Sequence, residues 1–333
     1  MRMTLKELAA RAGVHPATVS RVANNDPGLR ISASTRERIQ GLLRETGYQP
    51  DAMARGLRTR RSFVVAMVIP DITNSLFASI FKGLEEAAGE RGFSVLACNT
   101  DGDGHRERAH LETLLARRVA GVVLASSVLR DPSVRWLRGH GIPHVLVSRY
   151  SDTSHAFVGA DDVTGGRVAT QHLLDLGHRR IAYLSGGSWT STGLLRSRGY
   201  RQALAGAGVP IDPELEVATG YLEEPATRGM ARLLELPDPP SAVFAGNDLI
   251  ALGAITAAQR VGLSVPRDLA VVGYNDIPLA ARLGVSTMRI PSHEFGRVSA
   301  RILLEQVASG SQSGERVIFQ PELVVRNSTV CPD

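Results

Sequence analysis

The sequence predicts an N-terminal all-α helix-turn-helix head followed by an α/β body of two doubly wound parallel-sheet lobes. Three observations carry this. A capping box and a glycine turn open the chain, basic charge is concentrated at the same end, and from residue 62 apolar strand-like runs alternate with helical stretches.

The 333 residues suffice for several cores, and the 43% apolar content is that of an ordinary globular protein. No run approaches the ~18 unbroken apolar residues of a membrane span. The opening "MRMTLKELAA" lacks the apolar core and cleavage site of a signal peptide, so a cytoplasmic protein with no membrane partner is expected. Cys98 and Cys331 fit no metal-ligand spacing and read as a buried thiol and a tail thiol; no metal and no cofactor are expected. Residues 1–61 hold twelve Arg or Lys against five Asp or Glu, a net +7, while the rest hold 26 against 28. A basic head on a near-neutral body points to a polyanion partner for the head alone. The predominance of Arg over Lys suits a coding bias, which would not place the excess at one end.

In the head, Thr4-Leu5-Lys6-Glu7 is a capping box, and Leu5, Leu8, Ala9 and Ala12 share one helical face. Gly13 supplies the sharp turn, and Pro16 stands in the first turn of the second helix, where its missing N–H is harmless. Val19 and Val22 continue the buried face. A third helix opens in "ISASTRERIQGLL", with Ser34-Thr35-Arg36-Glu37 as its capping box and Ser32 as a competing cap; Gly47 stops it. Residues 1–48 are expected to form this helix-turn-helix domain, a DNA-binding arrangement. Residues 49–61, "QPDAMARGLRTRR", read as a linker or a helix marginal by itself.

Residues 62–333 form the body. Its strand-like runs are "FVVAMVIP", Phe93–Ala97, Gly121–Ala125, His144–Val147, Arg180–Leu184, Ala242–Ala245 and Leu269–Gly273. Ligands of open α/β sheets bind beyond the carboxyl ends of strands. The loops there carry Asp71, Asn74 and Phe77; Ser126 and Ser127; Ser148 and Arg149; Arg196 and Tyr200; Gly220 and Tyr221; Asn247 and Asp248; and Tyr274, Asn275 and Asp276. Capping preference makes Asp248 and Asp276 helix or turn caps, and Tyr200 reads as packing. Arg196 is a fixed bidentate donor suited to vicinal hydroxyls or a carboxylate.

"TLKELAARAGVHPATVSRVANN" and "TRERIQGLLRETGYQPDAMARGLRTRRS" resemble the DNA-binding head and hinge of the lactose-repressor/galactose-repressor (LacI/GalR) family, and the resemblance continues at lower density to the C-terminus. It implies periplasmic-binding-protein-like lobes, at about 62–160 with 291–320 and about 161–290 with 321–333. Chain crossings then fall near Gly159–Asp162, Arg289–Pro291 and Gln320–Glu322. It implies a repressor bound as a homodimer to a pseudo-palindromic double-stranded DNA operator. Pro16 and Ala17 then approach base edges but can offer only apolar contact, to a thymine methyl. Reading shifts to Thr18 and Arg21, His15 meets phosphate, more strongly when protonated, and Leu57 wedges into a minor-groove step. Thr4, Ser20, Asn24, Met53, Ala54 and Arg55 complete the expected DNA contacts.

The same resemblance makes Asp71, Phe77, Ser126, Ser148, Arg196, Tyr221, Asn247, Asn275 and Ile290 effector contacts. "RSRGY" assigns Arg196 and "AGNDLIALGA" assigns Asn247. Many members carry Asp at the positions of Ser148 and Asn275, and Gln at that of Ile290. Arg196 is therefore expected to be less opposed by acid than usual, favouring a sugar acid or sugar phosphate over a neutral sugar, or a ligand with an apolar patch. The short tail "VVRNSTVCPD" has no leucine heptads, which favours a dimer. The alternatives are a solute-binding protein, disfavoured by the head, and a nucleotide-dependent enzyme. "PDITNS" after the first strand is no phosphate loop, and no Ser/His/Asp or metal constellation stands out.

Overall fold

The computed structural model describes residues 3–23, 28–46, 62–152 and 154–330. The chain divides into two compact units, Met1–Phe63 and Val64–Asp333. The hinge candidates Met53, Ala54, Arg55 and Leu57, the head candidate Asn24, Gly47 and Cys331 lie outside the described residues.

The head unit has helices α1 (Leu5–Ala12), α2 (Pro16–Ala23) and α3 (Ala33–Thr46). Thr4 and Glu7 cap α1 reciprocally, and Gly13 ends it at φ 61°. Leu8, Ala9, Ala12, Val19, Val22 and Ile39 form the core of this unit. The cap of α3 differs from expectation. Ser32, not Ser34, accepts the Thr35 amide, at 3.2 Å. Ser34 lies inside the helix, so the Ser34–Glu37 capping box does not form.

The body unit holds two six-stranded sheets. The first contains β1 (Val64–Ile69), β2 (Ser94–Asn99), β3 (Gly121–Leu124), β4 (His144–Val147), β5 (Phe157–Ala160) and β11 (Arg316–Phe319), in the order β11-β5-β4-β3-β1-β2. All its pairings are parallel. The alternation along β1 explains its layers. Val65, Met67 and Ile69 pack with α4 (Ser75–Glu90) and α12 (Ser292–Ser309) in one core. Ala66 and Val68 point the other way, toward α5 (Gly104–Ala116) and α6 (Pro132–Gly139). Both faces are covered by helices, as a parallel sheet requires.

The second sheet contains β6 (Ile181–Ser185), β7 (Glu216–Ala218), β8 (Ala242–Ala245), β9 (Ala270–Asn275), β10 (Ser286–Arg289) and β12 (Glu322–Val324), in the order β12-β10-β9-β8-β6-β7. Its helices are α7 (Asp162–Asp175), α8 (Ser191–Gly206), α9 (Glu223–Leu234), α10 (Asp248–Arg260) and α11 (Pro278–Arg282). The edge strand β12 runs antiparallel to β10, the one departure from an all-parallel arrangement among the described strands. The chain passes between sheets after β5, after β10 and after β11.

Cys98 on the edge strand β2 is half-buried rather than buried, and burial raises its thiol pKa. Among the described residues no helix is long and apolar enough to cross a membrane.

Candidate functional site

Two surfaces concentrate the candidate residues. In the head, His15, Ala17 and Arg21 are exposed, as is Thr4, while Pro16, Thr18 and Ser20 are half-buried. Val19 and Val22 anchor the opposite face of α2 in the core. His15 stands just before α2. Its Nδ1 accepts the Ala17 amide at 3.2 Å and so caps α2.

In the body, a cleft is lined by Asn74, Leu76, Phe77, Ser148 and Arg149 from the first lobe and by Thr192, Arg196, Tyr221, Asn247 and Asn275 from the second. These residues stand beyond the carboxyl ends of β1, β4, β6, β7 and β8 and at the end of β9, where such sheets present their loops. Beside the cleft the lobes touch. The Leu129 amide donates to the Trp189 carbonyl at 2.9 Å, and the Tyr150 amide to Ser191 Oγ at 3.0 Å.

Arg196 is the most tightly held group. Its Nε donates to Asp162 Oδ1 at 2.7 Å, its Nη1 to the Gly246 carbonyl at 2.5 Å, and its guanidinium lies 3.5 Å from the centre of the Tyr274 ring. Burial by itself lowers an Arg pKa; Asp162 and the neighbouring tyrosines outweigh it, so that of Arg196 is raised. Arg196, expected to be less opposed by acid than usual, is paired with a buried acid of its own lobe, Asp162. Asp162 opens α7 and Arg196 lies on α8, two helices that meet through glycines. A Cβ on Gly166 would stand 2.4 Å from the Arg196 carbonyl oxygen, and one on Gly199 would stand 2.2 Å from that of Val163. Such closeness, invisible in either segment alone, brings the carboxylate to the guanidinium.

Tyr221 is fixed by its hydroxyl, 2.5 Å from Thr190 Oγ1 and 2.8 Å from Thr192 Oγ1. Asn247 caps α10 by accepting the Ile250 amide at 2.8 Å, and its Nδ2 donates to the Tyr221 carbonyl at 3.1 Å. Asn74 caps α4 in the same way through Leu76. Asn275 is buried with φ 111°, and its Oδ1 has no hydrogen-bond partner among the described residues.

Of the nine expected effector contacts, Phe77, Ser148, Arg196, Tyr221, Asn247 and Asn275 line the cleft, and Asp71, Ser126 and Ile290 do not. Asp71 holds its own turn, accepting from the Thr73 amide and hydroxyl at 2.9 and 2.7 Å. Ser126 is buried near Glu107, whose pKa burial raises. Ile290 belongs to the apolar core. Leu76, Thr192 and Asp162 escaped the sequence reading, and Asn74 and Arg149 were seen only as loop residues. Asp248 and Asp276 are not caps. The buried Asp248 carboxylate accepts from Thr287 Oγ1 at 2.6 Å and from the Ile277 amide at 2.8 Å. Burial raises its pKa to about 7. Asp276 pairs with Arg289 and Arg326, each at 2.7 Å. Tyr200 packs as expected, stacked on Tyr183, with its hydroxyl donating to the Ile181 carbonyl at 2.8 Å.

Comparison with known proteins bears on both surfaces. Residues 4–51 match the family described as bacterial regulatory proteins, lacI family. Residues 170–329 match a periplasmic binding protein-like domain. The HTH-type transcriptional regulator DegA of Bacillus subtilis (strain 168) is 35% identical over 99% of this chain and 98% of its own. A structure of the transcriptional regulator CelR–cellobiose complex, 33% identical, superposes with a TM-score of 0.74 over 98% of this chain and 100% of its own. The lac repressor dimer bound to operator and the anti-inducer ONPF shares the fold, with a TM-score of 0.86 at 24% identity over 99% of this chain and 100% of its own.

Proposed function

Because the chain belongs to the lacI family of bacterial regulatory proteins, and is thus a DNA-binding transcriptional regulator, we propose that a sugar or sugar derivative held between its lobes controls its grip on an operator. The carrying observation is the cleft itself. Asn74, Asn247 and Asn275 converge there with two guanidinium groups and a fixed aromatic ring, the polar-plus-aromatic lining that suits a small hydroxylated molecule. The CelR structure, similar over nearly the whole chain, contains cellobiose.

On this reading the protein is a repressor in the cytoplasm and a binding module, not an enzyme. The hydroxyls of Thr190 and Thr192 are tied to Tyr221, which fits a fixed wall better than a nucleophile. A homodimer would set two heads on the half-sites of a pseudo-palindrome. The exposed edge strand β2, with Leu96 outward, is a surface that a second copy could cover. An effector that prefers one arrangement of the lobes shifts the dimer toward it, and operator affinity follows by linkage.

In the head, Arg21 is the proposed base or phosphate contact, with Thr18 beside it and Leu57 acting from the linker. Electrophoretic mobility shift on DNA selected by the purified full-length protein tests this. Specific binding weakens steeply with salt, as phosphate contacts require. Arg21→Ala and Leu57→Ala weaken it far more than Ala17→Gly. Salt-insensitive binding, or Ala17 as the most sensitive position, overturns the assignment.

A further inference from the structure

We propose that Arg149 is an anion-binding residue, so that the molecule taken by the cleft carries a carboxylate or phosphate group. The proposal rests on the reading of the cleft as an effector site and names the chemistry of its occupant.

Arg149 is only 8% exposed and lines the cleft. One face of its guanidinium lies 4.1 Å from the centre of the Tyr221 ring. Among the described residues its guanidinium makes neither a hydrogen bond nor an ion pair. A guanidinium presents five N–H donors in a planar fork matched to a carboxylate or phosphate, and here that fork is available to a molecule in the cleft. Burial pulls the Arg149 pKa down and Arg196 adds to the fall, while Tyr221 and Asp162 oppose it. Asp162, the acid of this neighbourhood, is already bonded to Arg196 at 2.7 Å. The lining therefore carries one positive charge more than it neutralises.

The backbone shows that this placement is imposed. The Arg149 amide donates to the Val147 carbonyl at 2.7 Å, closing a three-residue turn around Ser148, whose φ is 64°. A turn of this kind with positive φ at a non-glycine centre is rare and strained, and such strain gathers at ligand clamps. Across the cleft stands Asn275, a neutral amide that adds no competing acid to this lining. Arg149 also occupies a face of Tyr221. A neutral ring must displace it to stack there, whereas an anion can use it in place.

The test compares D-glucose with D-gluconate and D-glucose 6-phosphate, and acetate with inorganic phosphate, on the full-length protein at constant ionic strength. Thermal unfolding and titration calorimetry are the readouts. At least one sugar anion is expected to bind about tenfold or more tighter than glucose, the equivalent of one charge-assisted contact. Gluconate against the 6-phosphate, and acetate against phosphate, identify the preferred anion. Arg149→Met erases the preference; should that variant not fold, Arg149→Lys, which keeps the charge without the fork, weakens it. Glucose bound as tightly as its anions, a preference that survives Arg149→Met, or no response to any of these probes overturns the proposal. A neutral sugar that releases operator DNA would leave the regulator reading intact while this one fails. Anion binding with no effect on operator DNA would do the reverse.

Discussion

The two walls of the cleft each contribute one buried arginine, and the two are in opposite states. On the second-lobe wall Arg196 is held by Asp162, the Gly246 carbonyl and the Tyr274 ring. On the first-lobe wall Arg149 has one aromatic face and, among the described residues, no acid paired with it. Residue type and burial alone would make them equivalent. Their partners make Arg196 a strut between α7 and α8, and leave Arg149 with donors to offer. A cationic side chain in a cleft is a ligand group only to the extent that the protein has not already neutralised it.

Breaking the strut should have the largest effect. Asp162→Ala leaves Arg196 buried beside no carboxylate, and the body should lose about 3–5 kcal/mol in denaturant unfolding. A loss below about 1 kcal/mol would mean that Arg196 finds another partner, and the contrast between the walls would collapse. Asp248 sharpens the contrast from the acid side, being a buried carboxylate of the second lobe held by hydrogen bonds and, among the described residues, by no cation. Its folded pKa of about 7 lies above the ~3.9 of an unfolded aspartate. The stability it contributes is full below about pH 4 and is lost as pH rises through 7, by up to about 4 kcal/mol. Unfolding measured against pH should show this fall in the wild type and not in Asp248→Asn.

A smaller effect of opposite sign is expected on the other wall. Without ligand, Arg149→Met should stabilise the body by about 1 kcal/mol, because an unpaired buried charge gives way to an apolar chain of similar length. Destabilisation would make Arg149 structural after all. The smallest change belongs to the head. His15→Ala should lower its stability by about 0.5–1 kcal/mol and His15→Ser should restore it, since either His or Ser can accept the Ala17 amide.

Much of the fold was legible because it depends on local patterns. The Thr4–Glu7 box and Gly13 set both ends of α1 within a few residues. The apolar runs His144–Val147 and Ala242–Ala245 match β4 and β8 at both ends. β5, β10, β11 and β12 escaped, being three or four residues long and lying where the chain passes between sheets. So few residues show no periodicity, and distant strands pull them into the ladders. Between Ser32 and Ser34 the pattern offered two caps, and only the backbone path chose.

The site was legible as a set of loops, because a parallel sheet gathers the carboxyl ends of its strands whatever their side chains. Thus Phe77, Ser148, Arg196, Tyr221, Asn247 and Asn275 meet as expected, while Asp71 turns inward to its own loop and Ile290 into the core. Residue type and order were enough to specify a basic three-helix head, a two-sheet body and the loops that face a ligand. Tertiary structure alone decided which charges are free. Asp162 and Arg196 are far apart in sequence, and only glycine-mediated contact of α7 with α8 joins them. Ion pairing falls off over a few ångströms, a distance that order along the chain does not encode until the helices have packed.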